Sequence, residues 1–305
     1  MRNAFADELT RLAGEEERLV LLSGDIGNRL FDKYKQKFSN RFFNCGVAEA
    51  NMVGVAAGLA LCGLRPVTYT IASFATIRCL EQIKIDLSYH NVPVIIVGVG
   101  GGLSYAENGA THQSCEDISC LRVLPNMAVI CPGDAWEVRS ALRAALKRNG
   151  PSYIRLGKRG EPVVHKDAPP FVIGKGIIVK EGTEVCLLST GNMLPNAVEA
   201  ARGLEERGVS TRVVSLHTVS PMDEELLAHA FSNFRVVATI EEQSLLGGMG
   251  GSVAEWLADR KPQKACLCRI GAKNEFLHEA GGQEHARKIH GLTPERIAEK
   301  VVQKL

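Results

Sequence analysis

An acidic residue, Glu49, stands at the head of an apolar stretch of the chain. Residues 53–61 are rich in Gly and Ala and carry no charge. Burying a carboxylate in such surroundings costs free energy unless it has a partner, and a buried acid beside a ligand can exchange a proton with it. The helix macrodipole also favours an acidic residue in a first helical turn. The residue types alone therefore leave a proton-transfer role and a structural role open.

Short apolar strands alternate with helical stretches along the whole chain. Strands are predicted at residues 18–22, 67–70, 93–99, 127–131, 152–156, 183–188, 210–215, 235–240 and 265–270. Helices are predicted at residues 2–15, 49–62, 74–89, 135–147, 195–207, 224–230, 253–259 and 294–303. This alternation is typical of a mostly parallel sheet that is covered by helices on both faces.

A segment rich in charged residues, Gly and Pro interrupts this pattern at residues 157–170. Such a composition marks a connection between domains. We therefore predict an α/β protein of two consecutive domains, each a mostly parallel sheet with helices on both faces. The domains are predicted at residues 1–160 and 181–305, and a linker at 161–180.

Composition excludes several classes of protein. The net charge of the 305 residues is +2, and no block of Lys and Arg stands out, which argues against a nucleic-acid partner. No apolar run reaches the roughly 18 residues of a membrane span. Nine cysteines occur without a C-x-x-C pair, as expected for a reduced, cytoplasmic protein.

Three short motifs then identify a family. Gly46-Val-Ala-Glu49-Ala-Asn-Met52 resembles the G-x-x-E-x-x-M segment in the pyrimidine-binding domain of thiamine-diphosphate enzymes. Residues 107–113, Glu-Asn-Gly-Ala-Thr-His-Gln, resemble the E-D-G-x-T-H-Q loop of transketolases, and residues 121–127 resemble their L-R-x-x-P-N-M segment. The remainder is similar to the transketolase C-terminal domain. The resemblance implies the C-terminal subunit of a split, two-chain transketolase.

One expected motif is absent from the sequence. Thiamine-diphosphate enzymes hold the diphosphate and a divalent metal through a Gly-Asp-Gly motif, and this chain has none. Oxygen ligands for Mg²⁺ or Ca²⁺ are therefore expected on a partner and no metal ligands on this chain. The resemblance implies that a separate N-terminal subunit supplies them, in an α₂β₂ assembly that binds thiamine diphosphate between the two kinds of chain.

The resemblance also assigns roles to individual residues. Glu49 matches the glutamate that hydrogen-bonds N1′ of the aminopyrimidine ring and shares its proton. Phe74 matches the aromatic residue beside that ring, and Asp25 matches an acidic residue near the cofactor, although capping of a helix explains an Asp there nearly as well. Ile77 occupies a cofactor-facing position that is often aromatic. His112 matches a histidine that contacts the substrate oxygen, so proton transfer to the sugar is its expected role.

The remaining matches concern the substrate. Asn108, Gln113, Arg78 and Lys158 are expected to bind it, although solvated or ion-paired surface charges remain the simpler reading for the two cations. Transketolases usually have histidine where this chain has Gly100, aspartate where it has Asn108, and arginine where it has Lys158. Because Glu49, Phe74 and His112 are retained, the resemblance implies transfer of a two-carbon ketol unit from a ketose or ketose phosphate to an aldose. The departures lie at substrate-facing positions and imply altered sugar specificity.

Other members of the fold remain as alternatives. The beta subunit of a 2-oxo-acid dehydrogenase has the same two domains in one chain. Deoxyxylulose-phosphate synthase is a further relative, although it is normally one long chain. A non-catalytic subunit derived from such an enzyme is the alternative from a different functional class, and the retention of Glu49 argues against it.

Overall fold

The computed structural model describes residues 1–27, 29–158, 160–261 and 263–305, and it contains two β-sheets covered by helices. Its strands in chain order are β1 (Leu19–Ser23), β2 (Phe42–Asn44), β3 (Arg65–Ile71), β4 (Ile95–Val99), β5 (Ala128–Ile130), β6 (Ser152–Leu156), β7 (Ile177–Lys180), β8 (Val185–Ser189), β9 (Thr211–Ser215), β10 (Thr218–Ser220), β11 (Val236–Ser244) and β12 (Cys266–Ala272).

The strands pair into one sheet of seven and one of five. The larger sheet has the order β10-β5-β6-β4-β3-β1-β2, and the smaller has the order β12-β11-β8-β9-β7. All neighbours are parallel except at one edge of each sheet, where β10 pairs antiparallel with β5 and β7 pairs antiparallel with β9. The predicted α/β class, with two mostly parallel sheets, is confirmed.

The helices connect these strands. In chain order they are α1 (Arg2–Leu12), α2 (Asp32–Lys37), α3 (Glu49–Leu61), α4 (Ala72–Thr76), α5 (Leu80–Gln82), α6 (Asp117–Arg122), α7 (Ala135–Lys147), α8 (Leu194–Glu205), α9 (Glu224–Asn233), α10 (Met249–Ala258), α11 (Gln283–His290) and α12 (Pro294–Val302). The apolar core follows from the burial of whole strands. β1, β4, β6 and β8 are buried at every residue, as expected where helices cover both faces of a parallel sheet.

Two strands bear on the predicted division of the chain into domains. The end of the predicted linker, residues 177–180, forms β7, an edge strand with partly exposed side chains and therefore a weak apolar signal. β10 belongs to the second half of the chain but hydrogen-bonds to β5 of the larger sheet. With three residues, β10 is too short for its sequence pattern to predict which sheet it joins.

The single helix predicted at residues 74–89 is also wrong. The segment consists of α4, a 3₁₀ turn at Ile77–Cys79, α5 and a π-helical stretch at Ile83–Tyr89. β-branched residues at several positions weaken a regular α-helix. Such breaks in hydrogen-bond register change the direction of side chains and occur frequently at functional sites.

Within the described ranges, the longest helices, α3 and α7, have 13 residues each. No helix there combines the length and apolar character needed to cross a membrane.

Candidate active site

Glu49 is the first residue of α3, and its side chain is buried with 2% of its surface exposed. Thr70, near the end of β3, donates a hydrogen bond to Oε1 at 3.2 Å, and Arg78 donates to Oε2 at 2.8 Å. Gly24 follows β1 at the same edge of the sheet, where an added Cβ would lie 3.5 Å from Oε1. The carboxylate is therefore held at the carboxyl ends of β1 and β3, the edge where α/β proteins bind ligands.

Arg78 connects this carboxylate group to Phe74 and, through the Phe74 ring, to His112. The Arg78 guanidinium lies over the Phe74 ring, with Cζ 3.9 Å from the ring centroid. The rings of Phe74 and His112 meet edge to face with 5.2 Å between centroids. Thr111 Oγ1 is 2.9 Å from His112 Nδ1, and Ser73 donates to the Thr111 carbonyl at 2.9 Å. The loop that carries His112 is thereby attached to α4.

The His112 loop is closed at its base by backbone pairing. Gly102 and Ser114 form an antiparallel bridge with two hydrogen bonds of 2.8 Å. Arg155 donates to the carbonyls of Ser114 and Glu242 at 2.9 Å each. The Leu103 amide donates to Glu242 Oε1 at 2.7 Å. Glu242 is a residue of β11, so the second sheet fixes the base of the loop that carries His112.

Two buried ion pairs support this connection. Arg287 Nε donates to Glu242 Oε2 at 2.7 Å, and Arg155 Nε donates to Asp117 Oδ2 at 2.8 Å. Burial alone would lower the pKa of Arg287, but the carboxylates of Glu242 and Glu284 together raise it by more, so the guanidinium stays charged. Buried charges persist only when they are paired and hydrogen-bonded in this way.

Tyr105 occupies the position above Gly100. Gly100 has φ +79°, and a Cβ at this residue would overlap the Tyr105 ring. The Tyr105 ring faces His112 edge to face at 6.4 Å. Lys158 lies over the same ring, with Nζ 5.3 Å from the centroid, and pairs with Glu107. The pair lowers the pKa of Glu107.

An open cleft of about 690 Å³ lies beside Phe74, Arg78 and the loop that carries His112. Its lining includes Phe74, Ile77 and Arg78 on one side and Gln113 of the loop on another. Phe276, from the second half of the chain, also lines it, with 69% of its surface exposed.

Two residues assigned from the sequence lie further out. Asp25 is exposed, has φ +57° and accepts a hydrogen bond from Asn44 at 2.8 Å. No described helix begins at Asp25, so the helix-capping explanation is wrong, while its place next to Gly24 keeps it at the ligand edge of the sheet. Asn108 is exposed in the 3₁₀ turn Ala106–Asn108.

Sequence reasoning missed three residues of the site. Thr70 carries no motif of its own, although its place near a strand end was available as a signal. Tyr105 becomes visible only once its ring is found above Gly100. Phe276 comes from a loop more than 150 positions after Gln113 in the sequence, and no motif in the surrounding sequence indicates a role for it.

The arrangement fits one end of a flat heterocycle. A buried carboxyl can share a proton with a ring nitrogen, and an aromatic side chain can stack on the ring face. In the described ranges, no group of three or more His, Cys, Asp and Glu side chains is placed to hold a metal ion.

Comparison with known proteins agrees with this geometry. The family model described as transketolase, pyrimidine binding domain, matches residues 1–161, and that of the transketolase C-terminal domain matches residues 174–297. The chain is 35% identical to a transketolase C-terminal section of Methanocaldococcus jannaschii, over 100% of this chain and 96% of that one.

Two further relatives are similar over nearly their whole lengths. The 6-deoxy-6-sulfo-D-fructose transketolase subunit of a Clostridium species is 35% identical over 97% of this chain and 92% of its own. A solved structure described as "Split gene transketolase, inactive beta4 tetramer" has a TM-score of 0.91 and 35% identity, and it covers 100% of this chain and 97% of that one. The chain therefore belongs to the transketolase family, as a C-terminal subunit of the split-gene kind.

Proposed function

We propose that this chain forms the pyrimidine side of a thiamine-diphosphate site and works with a separate N-terminal subunit, as an α₂β₂ enzyme of the cytoplasm. In this proposal residues 1–160 bind the cofactor ring, and residues 181–305, with β7 added, form the C-terminal domain. The observation that carries the proposal is the buried Glu49 carboxylate at the ligand edge of the sheet, which Arg78 connects to the Phe74 ring, itself in contact with His112.

Thiamine diphosphate supplies the group that takes up a two-carbon unit from a ketose. Glu49 would hold or release a proton at the N1′ edge of its ring, and Thr70 keeps the carboxylate in place. Phe74 would stack on the ring. Ile77, which lines the cleft beside Phe74, and Asp25, which follows β1, would lie near the cofactor. His112 would bind or protonate a sugar oxygen, because its ring contacts Phe74 and its neighbour Thr111 lines the cleft.

The charged half of the cofactor needs another chain. This chain lacks the Gly-Asp-Gly motif, so the partner would bind the diphosphate and its Mg²⁺ or Ca²⁺. A relative at 35% identity is described as an inactive tetramer of beta chains, which supports dependence on a partner. The nine cysteines of this chain form no disulfide in the structure, in agreement with a reducing compartment.

Sugar specificity is the finer part of the proposal. The relative named for 6-deoxy-6-sulfo-D-fructose illustrates that such subunits serve sugars other than common pentose phosphates. Here Tyr105 fills the space above Gly100, and Asn108, Gln113 and Lys158 lie on or near the His112 loop. We propose a sugar or sugar-phosphate donor whose recognition involves this loop.

The test combines the chain with its N-terminal subunit, thiamine diphosphate and Mg²⁺. Two-carbon transfer is measured over a panel of ketose phosphates, 6-deoxy-6-sulfofructose and aldose acceptors. We expect transfer, and we expect Glu49→Gln to reduce kcat by about 10²–10⁴-fold, the range for loss of general acid–base catalysis. Glu199→Gln, at an exposed surface pair, is the matched control. Turnover of a 2-oxo acid with a lipoyl acceptor would contradict the proposal. So would a kcat that is the same for Glu49→Gln as for the unmodified chain.

A further inference from the structure

Arg78 makes both of the contacts that the proposed cofactor ring needs. Its Nη1 donates to Glu49 Oε2 at 2.8 Å, and its Cζ lies 3.9 Å from the centroid of the Phe74 ring. The guanidinium thus bonds to the buried carboxylate along its edge and stacks on the aromatic ring with its face. The proposed cofactor ring would use the same carboxylate and the same aromatic side chain.

The two groups are alike in shape. A guanidinium is flat, donates hydrogen bonds in its own plane and stacks on aromatic faces. An aminopyrimidine is also flat, bonds at its edge and stacks on aromatic faces. The guanidinium occupies one face of Phe74 and bonds to Oε2 of Glu49. A ring that takes the same face and the same oxygen must therefore move the Arg78 side chain.

We propose that Arg78 is an internal ligand of the aminopyrimidine position, and that cofactor binding displaces it into the open cleft. This inference rests on the proposed function, because it takes the cofactor ring to be the ligand of Glu49. It departs from the expectation that Arg78 only binds substrate.

The surroundings of Arg78 allow the movement. Its side chain has 42% of its surface exposed, and it belongs to the short 3₁₀ turn Ile77–Cys79. Among the hydrogen bonds of the described residues, Arg78 makes only the bond to Glu49. The side chain can therefore leave without breaking a larger network, in contrast to the buried Arg155 and Arg287.

Displacement also has a reason in the charge of the site. Glu49 is buried, and Thr70 is a neutral donor at 3.2 Å. Arg78 supplies the positive charge that a buried carboxylate requires. When the ring shares a proton with Glu49, that requirement ends and the guanidinium can turn towards the cleft, where an anionic group of a sugar phosphate would meet it.

The experiment measures cofactor affinity rather than activity. Thiamine diphosphate with Mg²⁺ is titrated by calorimetry into the complex of the full chain and its N-terminal subunit. The variants are Arg78→Ala and Arg78→Gln, and Arg296→Ala, at an exposed helical pair, is the matched control. Because binding no longer has to displace an ion pair and a stacked cation, we expect Arg78→Ala to lower the Kd about 3- to 10-fold.

The outcomes separate this inference from the proposed function. A lower Kd for both Arg78 variants, with the control unchanged, supports displacement. A Kd that is unchanged or raised shows that Arg78 stays in place as a ligand or is not involved, and overturns the inference, while binding that weakens in Glu49→Gln still supports the proposed function. Absence of binding by the unmodified complex contradicts the proposed function and removes this inference with it.

Discussion

Gly100 and Tyr105 share one space next to the His112 ring. Any side chain at residue 100 would place its Cβ inside the Tyr105 ring, and the backbone there has φ +79°. Transketolases usually have a histidine at this position. In this chain the ring of Tyr105, from the loop after β4, fills the space that a side chain at residue 100 would take. Only glycine at residue 100 leaves room for that ring.

Gly100→Ala is expected to destabilise the protein. The left-handed backbone costs a non-glycine residue about 1–2 kcal/mol, and overlap with Tyr105 adds about 1–3 kcal/mol. In Gly100→Ala/Tyr105→Ala the overlap is absent, so only the backbone cost remains. Urea unfolding of both single variants and the double variant measures the coupling between the two residues. Simple additivity would show that the two do not share the space.

Thr70→Val keeps the shape of the side chain and removes the hydrogen bond to Glu49. We expect kcat of the reconstituted enzyme to fall about 10- to 150-fold, because a hydrogen bond to a charged group contributes about 1.5–3 kcal/mol. Thr10→Val, which removes a hydrogen bond within α1, is the control and should leave kcat unchanged. Equal rates for Thr70→Val and the control would mean that Thr70 does not position the carboxylate.

Arg287→Met leaves the Glu242 carboxylate buried without its charged partner. Breaking a buried pair in this way costs about 3–5 kcal/mol of the free energy of unfolding. Arg296→Met removes an exposed pair with Glu299 and should cost less than about 1 kcal/mol. Denaturant unfolding of the two variants tests the difference. Similar losses for the two would show that burial does not govern the strength of the Glu242 pair.

The stability of the chain should depend on pH through Glu241. Burial raises the pKa of Glu241 from 4.5 to about 7, although the amides of Met249 and Gly250 donate to its carboxylate. Between these values the folded state binds more protons than the unfolded state, so this group's contribution to stability falls as pH rises from 4.5 to 7. The expected loss is on the order of 3 kcal/mol.

Comparison with Glu241→Gln isolates this contribution. Burial lowers the pKa of His217 to about 4, which gives a slope of opposite sign between pH 4 and its ordinary value of 6.5. His217 is present in both proteins, so its effect cancels in the difference. We expect the difference in free energy of unfolding to change with pH between 4.5 and 7 and to be flat above that range. A difference that does not vary with pH would exclude a neutral Glu241.

Much of the fold was predictable because its strands are buried on both faces. β6 and α7 match the predicted bounds at both ends, since Pro151 and Gly157 flank β6 and α7 has a clear helical period. The segment after Phe74 was not predictable, because its apolar residues repeat like a helix while its backbone changes hydrogen-bond register three times. A local pattern of apolar residues does not predict such changes in hydrogen-bond register.

The site was predictable to the extent that its residues stand in motifs. In the structure Arg78 links Glu49 to Phe74, and the Phe74 ring contacts His112. The pairing of Arg78 with Glu49 and of Lys158 with Glu107 was not foreseen, since residues 29 and 51 positions apart meet only through the sheet order. The roles of all these residues remain predictions until the variants are measured.

Strand β10 has a consequence for the order in which the protein can be built. It closes one edge of the larger sheet, and beside it Cys131 N donates to the His217 carbonyl at 2.6 Å. During synthesis the first half emerges from the ribosome early, yet the edge at β5 stays open until residue 220 follows. An open edge can pair with a neighbouring nascent chain. Slow translation between residues 160 and 220 would therefore lengthen the period in which the protein is prone to aggregation.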